Sequence, residues 1–268
     1  MNRDDRRFLG ALGILGGGYL LLILAMFAAD LAYTSPGHLL QALATPEIRH
    51  AIGLTLLTAS VSAFLSVIVA IPLGYLFSRC EFRGRKFLNA VLDIPIVLPP
   101  LVIGLSLLIL FQTLPGRLFE EHLFRVTYRV PSVILAQFSV AAAFAVRVLQ
   151  AAFNQMTPRT EQVAMTLGCS RAQAFFRVVL PESRRAVLSA FAIAWARSLG
   201  EFGPVLVFSG ATRNRTEVLS TTVYLELSIG KLESAVAVSI LMVLIAAAVL
   251  GVLQGLGRAD DVDRTVRR

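Results

Sequence analysis

Two opposite charges lie four residues apart inside an apolar stretch of the chain. The stretch has the sequence ARSLGEFGPVLVF, and its charged residues are Arg197 and Glu201. Residues four apart share one face of a helix and can form an ion pair. A charge at the centre of a bilayer costs roughly 2.5–3.5 kcal/mol on insertion scales. The pair is therefore either an internal ion pair or the lining of a transport path, and Gly203 nearby would permit a bend.

Prolines interrupt a second apolar stretch, which has the sequence LDIPIVLPPLVIG. The prolines are Pro95, Pro99 and Pro100. Each one removes an amide donor and kinks or breaks a helix. In a bilayer the freed carbonyls are tolerated only where protein or water covers them. We expect a broken span here, which either serves packing or, as broken helices near the midplane do, lines a transport path.

Six apolar stretches are long enough to place these residues in a membrane. The chain is 56% hydrophobic and 16% charged, which is too little charge for the surface of a soluble domain. A hydrocarbon core needs roughly 20 apolar residues per helix. The stretches cover approximately residues 8–31, 51–78, 87–111, 132–153, 186–208 and 235–255. They predict an all-α polytopic membrane protein with one transmembrane domain over residues 1–268.

The basic residues favour one orientation of these spans. With the N-terminus inside, the inner segments contain sixteen Lys and Arg residues and the outer segments seven. Because Lys and Arg accumulate on the cytoplasmic side, we expect both termini to be cytoplasmic in the cell (inner) membrane. Arg147, near the inner end of its span, should reach the surface by snorkelling. The net charge of +8 then reflects orientation in lipid, and no nucleic acid partner is expected.

Motifs for catalysis and nucleotide binding are missing from the sequence. It contains no G-x-x-x-x-G-K-[ST] loop, no H-E-x-x-H and no nucleophile elbow. Cys80 and Cys169 fit no metal-binding spacing. We therefore predict a non-catalytic transport subunit without metal or cofactor. A membrane-embedded enzyme and an ion-driven secondary transporter are the alternatives, and the latter would contain internal repeats.

The segment over residues 157–185, between the fourth and fifth spans, is too polar to cross a membrane. Its sequence is TPRTEQVAMTLGCSRAQAFFRVVLPESRR. Gly168 is expected to end a first short helix, and Pro181 to stop a second one. The second helix has an apolar stripe formed by Ala174, Phe175, Val178 and Val179. Taken alone, the pattern is also that of an amphipathic helix resting on lipid.

This segment resembles the EAA loop of binding-protein-dependent ABC importer permeases. The family pattern is Glu-Ala-Ala, three residues, Gly, nine residues, an aliphatic residue, one residue, then Leu-Pro. The corresponding positions are occupied by Gln162, Val163, Ala164, Gly168, Val178, Leu180 and Pro181. Gln162 and Val163 depart from the pattern, and the adjacent Glu161 is able to supply the acidic charge.

The resemblance implies that the segment is a coupling helix, which docks into a groove on a separate ABC ATPase subunit that binds the ATP. The residues assigned to coupling are Glu161, Gln162, Ala164, Gly168, Val178, Leu180 and Pro181. A short rigid helix can pass a rigid-body motion from a soluble motor into the membrane.

Within this superfamily, the Leu-Pro-Pro and Gly-Glu-Phe-Gly stretches resemble those of molybdate, tungstate and sulfate permeases, over about residues 51–255. The resemblance implies an importer of an oxyanion, expected to be molybdate, with sulfate, thiosulfate or tungstate as alternatives. It also implies an extracytoplasmic anion-binding protein and a second permease copy, expected to form a homodimer. The predicted path residues are Pro95, Pro99, Pro100, Arg197, Glu201 and Gly203. Hydroxyl donors to the anion are expected from Ser209, Thr212, Thr221 and Thr222.

Overall fold

The computed structural model describes residues 3–266, and every regular element in that range is helical. The first part of the chain forms α1 (Arg3–Tyr33), α2 (Pro36–Ala44), α3 (Pro46–Arg79), α4 (Arg85–Val97), α5 (Pro100–Gln112), α6 (Leu114–His122) and α7 (Val130–Gln155). The second part forms α8 (Pro158–Thr166), α9 (Arg171–Ala174), a π-helix (Phe175–Val179), α10 (Leu180–Glu182), α11 (Arg184–Leu199), α12 (Gly203–Ser209), α13 (Leu219–Ser228) and α14 (Leu232–Val266). The prediction that both termini are cytoplasmic concerns residues 1–2 and 267–268, which lie outside the described residues.

The centre of the fold is a bundle of α3, α7 and α11. Small side chains face one another in this bundle, and Ala59, Ala63, Ala141 and Ala145 are fully buried. In lipid, where no hydrophobic force drives helices together, such residues permit the close approach that gives good packing. At Gly74 an added Cβ would lie 3.0 Å from a backbone nitrogen of α7, so α3 and α7 are nearly in backbone contact there.

The predicted spans are present, although two of them are sharply bent. Four long apolar helices run over Phe8–Tyr33, Pro46–Arg79, Val130–Gln155 and Leu232–Leu253. Two further spans are bent helix pairs, α4 with α5 at 112° and α11 with α12 at 62°. With each pair counted as one span, the described residues have six candidate spans, and the all-α polytopic prediction is confirmed.

The break in the third span lies at the second and third of its prolines. Leu98 and Pro99 adopt extended ψ angles of 142° and 132°, because a residue that precedes proline is excluded from helical geometry. Pro95 instead lies inside α4, so it does not contribute to the break.

Candidate functional site

The two broken spans meet at their breaks. An added Cβ at Gly203 would lie 2.9 Å from the backbone nitrogen of Leu101 and 3.0 Å from Cβ of Pro100. An added Cβ at Gly104 would lie 2.8 Å from Cα of Pro204. These distances leave no room for side chains, so glycine is required where α5 crosses α12. Predicted path residues from distant parts of the sequence are thus brought together, whereas Pro95 lies in α4, before the break.

Arg197 and Glu201 form the predicted ion pair beside this crossing. Nη1 of Arg197 lies 2.6 Å from Oε1 of Glu201. The carboxylate is 1% exposed, but the arginine side chain is 31% exposed, and its guanidinium lies 5.6 Å from the ring centroid of Phe144. Ser220 of α13 donates a hydrogen bond of 2.8 Å to the backbone carbonyl of Glu201. The backbone at Glu201 is therefore held by α13, and the Arg197 side chain remains partly exposed.

Two of the four hydroxyl donors expected for the anion are engaged elsewhere. Thr221 and Thr222 are buried, and both donate to the carbonyl of Val218, at 2.8 Å and 3.1 Å. The expectation is wrong for these two residues, because their hydroxyls satisfy backbone groups at the start of α13. Ser209 is fully buried, and its hydroxyl has no hydrogen-bond partner among the described residues.

Arg147 does not snorkel as expected. Its Nε donates to Oδ1 of Asp93 at 2.7 Å, and its Nη2 lies 2.6 Å from Oδ2 of the same residue. Further hydrogen bonds reach Asn89 of α4 and Gln150 of α7. The prediction is wrong because an acidic partner on the neighbouring helix satisfies the arginine inside the protein. Asp93 was visible in the sequence, but it lies 54 residues from Arg147.

The predicted coupling segment contains the expected turn at Gly168. This residue has φ +92°, a conformation that only glycine adopts readily, and it follows α8 directly. Ser170 then begins the next helix with a capping box, in which its side chain and that of Gln173 bond to each other's backbone nitrogens. The segment is consequently a helix, a sharp turn and a second helix.

The prediction that Pro181 stops the second helix is wrong. The helix widens into the π-helix, where the amide of Leu180 donates to the carbonyl of Phe175, and it continues through Pro181 to Glu182. Proline lacks the amide that a regular helix would use at this point. The wider turn absorbs the defect, and the chain passes almost directly into α11.

Glu161 fastens the predicted coupling segment to the bundle. The carboxylate is buried and accepts a hydrogen bond from the Tyr75 hydroxyl on α3. Its oxygens also lie 3.8 Å from Nε of Arg79 and 3.7 Å from Nε of Arg171. Gln162, at the pattern's acidic position, is exposed instead. The charge therefore lies one residue before the pattern position and points into the protein.

The apolar stripe of the second helix also faces the protein itself. Ala174 and Val179 are buried, Val178 is partly exposed, and the Phe175 ring lies 4.6 Å from the Tyr75 ring. Ala164 is buried and Leu180 partly exposed, whereas Pro181 is exposed. Three large apolar side chains of the segment are more than half exposed, and they are Val163, Leu167 and Phe176. Leu167 is 81% exposed. We call these three the apolar docking face.

A comparison with known protein families agrees with this architecture. Residues 67–258 match the family described as binding-protein-dependent transport system inner membrane component. The chain belongs to this family. Its described apolar helices accordingly make it a multi-pass inner membrane component of a transport system.

Relatives of this inner membrane component include permeases for several anions. The sulfate transport system permease protein CysT of Salmonella typhimurium is 32% identical over 210 residues, which are 78% of this chain and 76% of the relative. The molybdenum transport system permease protein ModB of Mycobacterium tuberculosis is 36% identical over 211 residues, 78% and 80% of the two chains. The molybdate/tungstate permease protein WtpB of Pyrococcus abyssi is 32% identical over 169 residues, 63% and 64% of the two chains.

The fold of this inner membrane component also occurs in a solved transporter. A chain from the crystal structure of a bacterial alginate ABC transporter, in complex with a periplasmic protein bound to an alginate pentasaccharide, superposes with a TM-score of 0.74. The alignment covers 96% of both chains at 19% identity. At this identity the likeness establishes the fold alone.

At the end opposite the coupling segment, the inner membrane component carries a loop folded onto the bundle. The amide of Leu219 donates to Oγ1 of Thr55 on α3 at 2.9 Å. Glu217 in this loop is 1% exposed, and burial raises its pKa above the ordinary value of 4.5 even though Arg213 lies nearby. The loop is therefore an ordered part of the fold, fixed to α3 at the end opposite the coupling segment.

Proposed function

We propose that this chain is the non-catalytic permease subunit of an ATP-driven importer for an oxyanion. Molybdate is the expected substrate, with sulfate, thiosulfate or tungstate as alternatives. The observation that most strongly supports this proposal is the anchored helix-turn-helix segment between α7 and α11. The relatives of this chain include sulfate and molybdenum permeases. Such a segment suits a subunit that receives motion from a motor and hydrolyses nothing itself.

The partner at this segment is an ABC ATPase subunit, which binds the ATP. The apolar docking face supports this assignment, because exposed large apolar side chains on a polar segment mark an interaction site. The anchoring of Glu161 to Tyr75 and Arg79 supports it further. When a docked segment is tightly fastened to α3, its displacement also moves the bundle. A loosely attached segment would move without displacing the bundle.

The translocation path runs along the crossing of α5 and α12. The Arg197 side chain there is partly exposed, and its guanidinium is suited to an oxyanion because it presents several N–H donors in one plane. Glu201 holds that arginine in place and keeps its charge balanced while the path is empty. A second copy of the chain completes the path as a homodimer, and an extracytoplasmic binding protein delivers the anion.

The orientation follows from the basic residues, with both termini and the coupling segment in the cytoplasm. Lipid covers the apolar outside of the bundle, of which α1 is an example. Its large side chains between Phe8 and Leu31 are exposed in the isolated chain. The loop at Glu217 then faces the binding protein.

Two glycines permit a matched test of the coupling role. Gly168 and Gly84 both have φ +92°, and an added Cβ at either would meet nothing within 4 Å. Valine at either site is therefore strained by the backbone alone, to a similar degree. Gly168→Val should abolish uptake and co-purification of the ATPase, while Gly84→Val should retain both. If the Gly168 variant keeps uptake and the ATPase, the segment is only a surface helix and the proposal is wrong.

The substrate is tested by competition. The assembled transporter, with its ATPase and binding protein in proteoliposomes, should take up labelled molybdate in an ATP-dependent manner. Excess unlabelled molybdate should suppress that uptake more strongly than equal sulfate or tungstate. Stronger suppression by sulfate would move the assignment to a sulfate importer. If labelled molybdate, sulfate and tungstate, each supplied alone, are all not taken up, the oxyanion proposal is wrong.

A further inference from the structure

Helix α4 is attached to the bundle by a cluster of polar contacts and by Leu92, which packs against the core. None of residues 85–97 is buried. The five N–H groups of Arg147 on α7 are matched by five oxygen acceptors, four of them on α4. These contacts are Nε to Oδ1 of Asp93 at 2.7 Å, Nη2 to Oδ2 of Asp93 at 2.6 Å, Nη1 to Oδ1 of Asn89 at 2.8 Å, Nη2 to the Asn89 carbonyl at 2.8 Å and Nη1 to Oε1 of Gln150 at 2.6 Å. We call this group the Arg147 clasp.

The two halves of the third span are held by different helices. The Arg147 clasp fastens α4 to α7, whereas the glycine contacts at Gly104 and Gly203 lock α5 onto α12. Between the halves, Pro99 and Pro100 have no amide hydrogens to donate across the break. A break that lacks helical hydrogen bonds and joins two separately fastened halves has the construction of a hinge.

The clasp lies close to the predicted coupling segment. Gly74 of α3 makes its closest approach to α7 at Gln150 and Leu149, beside the clasp. The next residue, Tyr75, contacts both Glu161 and Phe175 of the coupling segment. A displacement of that segment is therefore passed through tightly packed atoms to the part of α7 that holds α4.

The acid of this ion pair is partly exposed in the isolated chain, in contrast to the acid of the pair beside the α5–α12 crossing. The side chains of Arg147 and Asp93 are 30% and 46% exposed, whereas Glu201 is almost completely buried. A pair whose acid is partly exposed loses less on separation than a pair whose acid is buried. A carboxylate buried as deeply as Glu201 would be left without a partner. Of these two ion pairs, the Arg147 clasp is thus the one that separates at the lower cost.

We propose that the Arg147 clasp is the latch of a gate whose hinge is Leu98–Pro99. At each ATPase stroke the latch opens, and α4 swings away from α7 while α5 stays on α12. The path then opens at the end of the bundle that carries the coupling segment. The proposal rests on the proposed transport function and adds its moving part. Asp93, Asn89 and Gln150 act as positioning residues for Arg147.

A reversible cross-link tests whether the latch must open. Cysteines replace Asn89 and Gln150, whose Oδ1 and Nε2 lie 3.4 Å apart, in a chain that also carries Cys80→Ser and Cys169→Ser. A short bis-methanethiosulfonate joins the two thiols in the assembled transporter, and reductant releases them. Cross-linking should lower uptake by about tenfold or more, as expected for an obligatory conformational step. Reductant should restore it, and the ATPase should remain bound throughout.

The matched control is a cross-link at the opposite end of the fold. His38 and Glu233 lie 3.3 Å apart on α2 and α14, and the linked cysteine pair at these positions should leave uptake near its reduced level. Equal uptake by the linked and reduced clasp variants would overturn the latch while leaving the transport function intact. Equal inhibition by both cross-links would also overturn it. An assembled native transporter without any anion uptake would instead refute the proposed function.

A second variant keeps the proposal testable if the double cysteine chain assembles poorly. Asp93→Asn preserves shape but weakens the bond to Arg147, so the latch should open without a substrate signal. Hydrolysis of ATP by the assembled transporter, in the absence of binding protein, should rise about threefold or more because the gate is uncoupled. Unchanged hydrolysis together with a lower yield of folded protein would mean that the clasp only holds α4 in place.

Discussion

Replacing Glu201 with glutamine should impair uptake more than it impairs folding. Glutamine keeps the shape of the side chain but removes the charge that lies 2.6 Å from Nη1 of Arg197. The freed guanidinium is partly exposed and has the Phe144 face nearby. It would therefore hold an anion too tightly or pair with a wrong partner when the path should open.

The structure predicts how large each single effect on stability should be. At 2.6 Å and an effective dielectric constant of about 20, the gross attraction is about 6 kcal/mol, most of which desolvation offsets. Removing one partner of a buried pair costs about 3–5 kcal/mol. The cost of Glu201→Gln should lie at the low end of this range, because the partly exposed Arg197 side chain is the one left unpaired. Arg197→Met should lie at the high end, because it strands a carboxylate that is 1% exposed.

A double-mutant cycle separates a packing role from a transport role. Thermal unfolding in detergent and uptake by the assembled transporter are measured for both single variants and for Arg197→Met with Glu201→Leu. The apolar double variant should recover most of the stability lost by Arg197→Met, but not uptake. Should it transport at the native rate, the pair is a packing element, and the assignment of this crossing as path lining loses its main support.

Three further predictions concern separate parts of the chain. Gly203→Ala would place a methyl group 2.9 Å from the backbone of α5 and should lower the free energy of unfolding by about 1–3 kcal/mol. Since burial raises the pKa of Glu217 above 4.5, folding favours its protonated form. The stability that this provides is present below pH 4.5 and is lost as the pH rises through the raised pKa, so Glu217→Gln should flatten the dependence of the melting temperature on pH. Cys169 in intact cells should resist membrane-impermeant thiol reagents and should react in inverted vesicles; labelling from outside would contradict the proposed orientation.

Features with a local cause could be predicted from the sequence. The break at Pro99 follows from consecutive prolines, the pairing of Arg197 with Glu201 from their helical spacing, and the turn at Gly168 from its need for a positive φ. In each case the residues that decide the structure lie within a few positions of one another, so that neither the fold nor a neighbouring helix has to be known.

Features that depend on a distant partner could not be predicted. Arg147 was assigned to the membrane surface because its partner Asp93 belongs to another helix. The apolar stripe around Phe175 was expected to face an external partner or lipid, but it packs against Tyr75, 100 residues earlier in the chain. Periodicity shows that a helix has an apolar face, and it carries no information about which surface that face meets.

Glu161 illustrates how a shift of one residue changes the role of a charge. Successive helical residues are about 100° apart around the axis, so Glu161 and Gln162 point in clearly different directions. Glu161 is buried against Tyr75, Arg79 and Arg171, whereas Gln162 is exposed. An acid at 162 would lie on the outer surface of the segment and would lack those contacts. The glutamate of this chain therefore fastens the segment to α3, and its neighbour lies on the exposed side of the segment.

Exchanging the two residues tests this reasoning. Glu161→Gln combined with Gln162→Glu conserves composition and net charge and restores the acidic position of the family pattern. If the anchor is what matters, the exchange should still weaken ATPase co-purification and uptake severalfold, because Arg79 loses a buried partner at a cost of about 3 kcal/mol. Gln162→Glu alone, the matched control, should leave both near native levels. An exchanged chain with native coupling would mean that the acid acts at the ATPase surface, and that its contact with Arg79 contributes nothing to transmission.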